Sequence, residues 1–339
     1  MSQGFPGQQW GQWPRQQQQW PPQQPQWSTA PHQPTKRRSG PILLGALIVV
    51  GLTMIGFILY SLLSGPDYQN DDYVPPPPGT LAPFPDAQVS EVDTLLTANP
   101  LYAQTLPVPV RCDLTNPDLH LPSATDDEVK AYIDDLMACN MRVWDQPFQG
   151  TQRFQLVRPA VNIYHDSVTT PCGGGRAAGP NAIYCLVNQQ VYFSRQLSSI
   201  PRLALVDQPH MIDVVMSHEF AHGIQGRTVI LHAELYKSQQ APDEAAALEL
   251  SRRVELQADC FAGMFVQSVR PSVDYSADEI ARMQELVRAI GDDGDRPGDP
   301  SIIGNHGSAA SREYWYRIGL TTTDIGACNT FSAPEHFVR

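Results

Sequence analysis

The run Ile42–Leu63 (ILLGALIVVGLTMIGFILYSLL) constrains this chain more than any other feature: no charged side chain occurs between Arg38 and Asp67. A helix rises about 1.5 Å per residue, so this run reaches about 33 Å, enough for a hydrocarbon core about 30 Å thick. A cleaved signal peptide is the competing reading, but its apolar region is usually about 7 to 15 residues and does not follow so long a polar leader. The run predicts a single transmembrane helix over 39–65, in contact with the lipid bilayer through 42–63. Lys36, Arg37 and Arg38 precede it, and Asp67, Asp71 and Asp72 follow it. The positive-inside tendency then puts the N-terminus in the cytoplasm and the large C-terminal part outside, a single-pass cell-membrane arrangement.

Charge divides across the same span. Residues 1–66 contain no Asp or Glu, and their only bases are Arg15, Lys36, Arg37 and Arg38. Of the chain's 23 Lys+Arg and 35 Asp+Glu, 19 and 35 therefore fall in 67–339, a formal charge of −16. That balance excludes a nucleic-acid partner, because phosphate contacts need clustered Lys and Arg. Residues 1–35 hold 12 Gln, seven Pro and four Trp. With so little apolar surface to bury, the cytoplasmic tail 1–38 is expected to be disordered. Trp10, Trp13, Trp20 and Trp27 are candidate contacts for a cytoplasmic partner or for the membrane surface. After the span, 66–97 is Pro-rich, and Pro75–Pro78 predicts an extended spacer holding a domain of residues 98–339 off the bilayer.

Within that domain, Thr125 and Glu128 form a capping-box pattern, and Val129, Ile133 and Leu136 repeat at helical spacing, predicting a helix over 126–141. Short alternating stretches follow at Val161–Tyr164, Ala182–Leu186 and Val191–Phe193 and predict strands. The intervening CGGGRAAGPN, 172–181, reads as an irregular loop. Helical patterns return at 209–225, 243–268 and 277–290, the last capped by Ser276 and Glu279. The expected fold class is α+β, helix-rich, with a small sheet built before the main helices.

The chemistry-bearing residues lie on two of those helices. His218-Glu219-x-x-His222 places two imidazoles at i and i+4 on one helix face, where both can reach one metal ion, with Glu219 beside the first and able to hold a water. A catalytic zinc site needs a third protein ligand and an open position. The metzincin pattern would require Gly at 225 and His at 228, where this chain has Gln225 and Thr228, so that class is excluded. A second helix offers Glu255 and Asp259, again i and i+4. Glu255 is the candidate ligand and Asp259 the candidate acceptor for a ligand imidazole, with the exchanged assignment still open. His210 and His232 are weaker candidates, and Cys260 fits a disulfide better than a ligand position.

These segments stand in a larger series: His218-Glu-Phe-Ala-His222-Gly-Ile-Gln, Glu255-Leu-Gln-Ala-Asp-Cys-Phe-Ala-Gly263, Ile290-Gly-Asp-Asp293, His306-Gly-Ser308 with Arg312 and Trp315, and Cys328-Asn-Thr-Phe331. The series resembles the bacterial putative neutral zinc metallopeptidase family, over about Tyr184 to Phe331. The resemblance implies a zincin-like, gluzincin-like fold, one catalytic Zn2+ held by His218, His222 and Glu255, Glu219 as catalytic acid/base, and often an N-terminal membrane anchor. Ala221 and Gly223 stand where the family often has Gly and a third His, and Asn305 stands where Thr is usual. Neither departure removes a ligand or the base.

The function expected on these grounds is membrane-anchored zinc-dependent endopeptidase activity on a peptide or protein outside the membrane. Glu219 would take the proton of a zinc-activated water and pass it to the leaving amine. His306, in a Gly-flanked loop, is the candidate oxyanion donor. The competing reading is a zinc-binding but inactive scaffold of the envelope. The strand at Val191–Phe193 is expected in the core, with an open edge for an extended substrate as the alternative. Asp292, Asp293, Asp295 and Asp299 resemble a calcium loop but lack its terminal Glu, so a solvated turn is expected. Six cysteines allow 15 pairings. Proximity in sequence favours Cys112–Cys139 and Cys172–Cys185, and the place of Cys260 and Cys328 beside motif segments favours the third pair.

Overall fold

Both capping boxes form: Thr125 Oγ1 accepts from the Glu128 amide while Glu128 accepts from the Thr125 amide, and Ser276 and Glu279 do the same. In this computed structural model the described residues are 47, 49–57, 65–79, 81–299 and 301–339. The tail 1–38 lies outside them, and so does most of the apolar run, which is helical at 47 and 49–57. Among the described residues, no helix is long and apolar enough to cross a membrane. The chain divides into Met1–Gly65 and Pro66–Arg339, and the second unit carries the features that follow.

Its helices are α1 (Val92–Thr97), α2 (Asp126–Thr151), α3 (Met211–Arg227), α4 (Ile230–Ser238), α5 (Glu244–Val273), α6 (Ala277–Ala289) and α7 (Ala309–Gly319). Helices α2 and α5 run past their expected ends because Trp144 and Phe148, and Val269, continue the buried face. The strands are β1 (Val161–Tyr164), β2 (Val168–Thr169), β3 (Ala177–Ala178), β4 (Ala182–Cys185) and β5 (Gln190–Ser194). Order in the main sheet is β1-β5-β4, with β5 parallel to β1 and antiparallel to β4. Val191 and Phe193 are fully buried in the central strand, so the open-edge alternative for that strand fails. The edge strands are β1 and β4. Part of the expected loop 172–181 is also ordered, as β3 pairs with β2.

Helix α5 is the structural centre, packed between α3 and α7. Gly263 and Gly319 let α5 and α7 approach backbone to backbone: a Cβ on Gly263 would collide with the Tyr316 carbonyl, and one on Gly319 with the Cys260 carbonyl. The three expected disulfides are present, with Cα separations of 5.1 Å for Cys112–Cys139, 5.6 Å for Cys172–Cys185 and 5.7 Å for Cys260–Cys328.

Residues 66–97 do not stand off as a spacer. The Gln69 amide donates to Pro109 O at 2.8 Å, Asp71 pairs with Arg111 at 2.8 Å, and the Gly79 amide donates to Arg158 O at 3.0 Å. A Pro-rich extended chain has no internal hydrogen bonds, so its carbonyls are left as acceptors. The Arg158 and Arg227 guanidiniums use them: Arg158 Nη1 donates to Pro76 O, and Arg227 Nη1 to Ala82 O at 3.0 Å and Pro83 O at 2.8 Å. The segment is a strap on the domain.

Candidate metal centre

Helix α3 starts after His210, which has left-handed backbone (φ 63°), and its first ligand candidate comes two turns later. His218 and His222 lie edge to face, ring centroids 4.8 Å apart. Glu255, from α5, faces both: its carboxylate oxygens lie 3.2 Å from His218 Nε2 and 3.6 Å from His222 Nε2. Zn–N and Zn–O distances of about 2.0–2.1 Å in a tetrahedron put neighbouring ligand atoms about 3.3 Å apart, so these three side chains fit one zinc ion. Among the described residues, no other group of three His, Cys, Asp or Glu side chains converges in this way.

The other ring nitrogens are held from behind. His218 Nδ1 lies 3.0 Å from Asp259 Oδ1, and His222 Nδ1 lies 2.9 Å from Gln225 Oε1. Each ring therefore carries its proton on Nδ1 and leaves Nε2 for a metal. Arg312 donates to both Asp259 oxygens at 2.8 Å, and both side chains are almost fully buried. Gln225 is fixed in turn through Nε2, which donates to Val254 O at 2.8 Å and to Gln257 Oε1 at 3.2 Å.

Electrostatics favour a cation here. Burial opposes charge on His218, but the Asp259 and Glu255 carboxylates on either side outweigh it and push the imidazole up to about 10. Burial likewise raises Glu255, and the imidazoles of His222 and His218 overcome it and hold the carboxyl well below its ordinary range. Asp259 is also held low, burial being outweighed by the charge of Arg312 and the contact with His218. A metal replaces a proton in such a cluster.

Glu219 is not a ligand in this arrangement. Its Oε2 accepts from the Tyr184 amide at 2.6 Å, the outward N–H of edge strand β4. Gly223 leaves room for the Tyr184 ring beside α3, which accounts for glycine at that departure from the family pattern. His306 lines the same cavity, about 500 Å³ in volume, half exposed, with Nδ1 3.1 Å from Asp292 Oδ1. The segment 291–299 is a turn, exposed at 295–298 as expected, but two of its acids are not solvated: Asp292 accepts from the His306 and Gly307 amides, and the buried Asp293 from Gly298 and Ala309. His210 pairs with Asp213, and His232 packs on Phe84, so neither joins the cluster.

Two imidazoles on one helix and a carboxylate from the next long helix form a candidate three-donor zinc site, held in a helix-rich α+β domain. The chain belongs to the family described as putative neutral zinc metallopeptidase, whose model matches residues 114–331. It is 26% identical over 215 residues to the uncharacterized protein YpfJ of Escherichia coli K12, covering 62% of this chain and 74% of that one. It is 31% identical over 199 residues to the uncharacterized protein Rv2575 of Mycobacterium tuberculosis H37Rv, covering 52% of this chain and 64% of that one. No solved structure matches the chain.

Proposed function

We propose that the protein is a membrane-anchored zinc endopeptidase with its catalytic domain outside the cell membrane. The observation that carries the reading is the placement of Glu219: beside a three-ligand site, unused by it, and open to the cavity. His218, His222 and Glu255 would hold a zinc ion, which would supply Lewis acidity to a peptide carbonyl and to a water. With Oε2 tied to Tyr184, Glu219 keeps Oε1 to take the proton of the attacking water and return it to the leaving nitrogen. His306, its Nδ1 held by Asp292, keeps Nε2 as the candidate donor to the developing oxyanion.

Strand β4 orients the substrate. Asn181 bonds inward to β5, so Ala182 and Tyr184 direct their backbone groups to the open edge, and the Ala182 carbonyl is an acceptor for an extended peptide. The uncharged run 42–63 and the charges on either side of it support the anchor and its orientation, and the Trp-bearing tail is then available to a cytoplasmic partner. A closed structural site would use a fourth Cys or His, whereas this donor set has three members, which disfavours the inactive scaffold.

The test is cleavage of a mixed peptide library by the zinc-loaded chain and by Glu219→Gln. The variant keeps its zinc and loses about 10²- to 10⁴-fold in rate. A wild type that cleaves nothing, or a variant that cleaves equally well with zinc bound, overturns the reading.

A further inference from the structure

We infer that the cavity beside the metal centre is a side-chain pocket for a bulky apolar residue, so that the enzyme cuts extended peptides next to Leu, Ile, Val or Phe. This rests on the peptidase reading of the same site and adds its substrate class. Val214 and Val215 lie four and three residues before His218, so the ligand face of α3 continues as an apolar wall one turn toward its N-terminus. Val287 of α6, Ile290 directly after it, and Ile200 and Leu203 of the segment before α3 complete that end of the cavity. Val215, Ile200, Leu203 and Ile290 are only half-buried, although each packs against the core. They present aliphatic surface to whatever enters.

The charged lining is elsewhere. Glu255, Asp259, His306 and Arg312 gather at the metal end, and Arg312 is committed to Asp259. Arg202, the remaining cation of the lining, is exposed and directs Nη1 toward the Gly291 carbonyl. An Asp or Lys side chain inserted among the aliphatic residues would thus lose water without gaining a partner. Size agrees: a dry cavity of about 150 Å³ accepts benzene, and this one, at about 500 Å³, holds a Leu or Phe side chain together with adjoining backbone. Each methylene buried there is worth about fourfold in binding, so Leu should exceed Ala by about tenfold or more.

The experiment uses the full zinc-loaded chain in detergent micelles. Cleavage sites in a degenerate peptide library are mapped by mass spectrometry, and binding of the Glu219→Gln chain to peptides carrying Leu, Ala or Asp at the mapped position, or at each position in turn, is measured by fluorescence anisotropy. The expected result is cleavage concentrated beside large apolar residues and Leu binding about tenfold or more tighter than Ala or Asp. Ile200→Trp, which fills the pocket, and Leu203→Asp, which charges it, should each abolish the Leu preference with zinc content unchanged and a cooperative melt retained. Cleavage or binding without apolar preference overturns the inference. Preferential Leu binding without any cleavage by the wild type sustains the pocket and removes the peptidase reading instead.

Discussion

Arg312 hydrogen-bonds to none of His218, His222 and Glu255, yet the candidate site depends on it. Asp259 receives the Nδ1–H of His218 while itself almost fully buried, and the two-pronged contact from Arg312 makes a carboxylate tenable there. Arg312→Leu strands that charge. The expected outcome is a loss of about 3–5 kcal/mol of stability and about 10- to 100-fold of zinc affinity, read by thermal denaturation and by competition with a zinc chelator dye. Arg312→Lys should recover only part of the loss, because an ammonium is a point charge without the planar fork. A leucine variant that melts and binds zinc like the parent would separate Arg312 from the site. At this scale the sequence was informative where spacing on one helix sets the geometry: His218 with His222, and Glu255 with Asp259. Gln225 follows the same logic, three residues after His222, a spacing that signals its contact with that ring. Arg312 is legible in sequence only as part of the motif series, since its contact to a residue 53 positions away depends on how α5 and α7 pack.

Strand β4 connects Glu219 to the disulfide framework. Tyr184, whose amide holds Glu219, is followed directly by Cys185, which closes a loop of sequence separation 13 to Cys172. A cross-link over a loop of about 15 residues stabilises by about 3 kcal/mol through the unfolded chain. Replacing both cysteines with Ser is therefore expected to lower the melting temperature by several degrees. Turnover should fall further than the stability change alone accounts for, because the edge strand that orients Glu219 loses its tether. An unchanged ratio of kcat to folded fraction would show that β4 is held in place without the cross-link. Helix starts were legible because Thr125 and Ser276 satisfy orphan amides locally. The ends of α2 and α5 were not, because burial of Trp144, Phe148 and Val269 carries the helices past 141 and 268, even with Pro147 and Pro271 inside them. Helices α4 and α7 are short, and their amphipathic faces emerge only against α5.

The second unit has two features that no single element contains: a buried ionic knot beneath α3, and a strap. In the knot, burial works against charge on His210, but the hydrogen bond and charge of Asp213, with Glu279 and Asp118 nearby, raise its pKa above the ordinary value. Tyr132 and Tyr275 donate to the same Asp213 at 2.7 Å. A raised folded pKa means that the His210 contribution to stability is full below about pH 6.5, the unfolded value, and is lost as pH rises through the folded one. The melting difference between the wild type and His210→Asn, a residue that tolerates the left-handed backbone, should therefore shrink from about pH 6 to about pH 9. A difference independent of pH would mean that His210 acts as a neutral cap. The strap carries the other prediction, because composition separated it from the domain and packing joins them. Proline-rich sequence reads as linker since it lacks donors, but here its carbonyls accept from the buried Arg227 and the half-buried Arg158. Arg227, 2% exposed, depends on Ala82 and Pro83 for two of its acceptors. Helix α1 adds Val92, Leu95 and Leu96 to the core, each worth about 1.5–3 kcal/mol when buried. Together these approach the whole net stability of a domain, about 5–15 kcal/mol. A fragment of residues 66–339 should thus be soluble and melt cooperatively. One beginning at 98 should aggregate or bind hydrophobic dye without a transition, since it buries an under-satisfied Arg227 and exposes the seat of α1. A cooperative melt of 98–339 at the temperature of the longer fragment would return the strap to the status of a spacer.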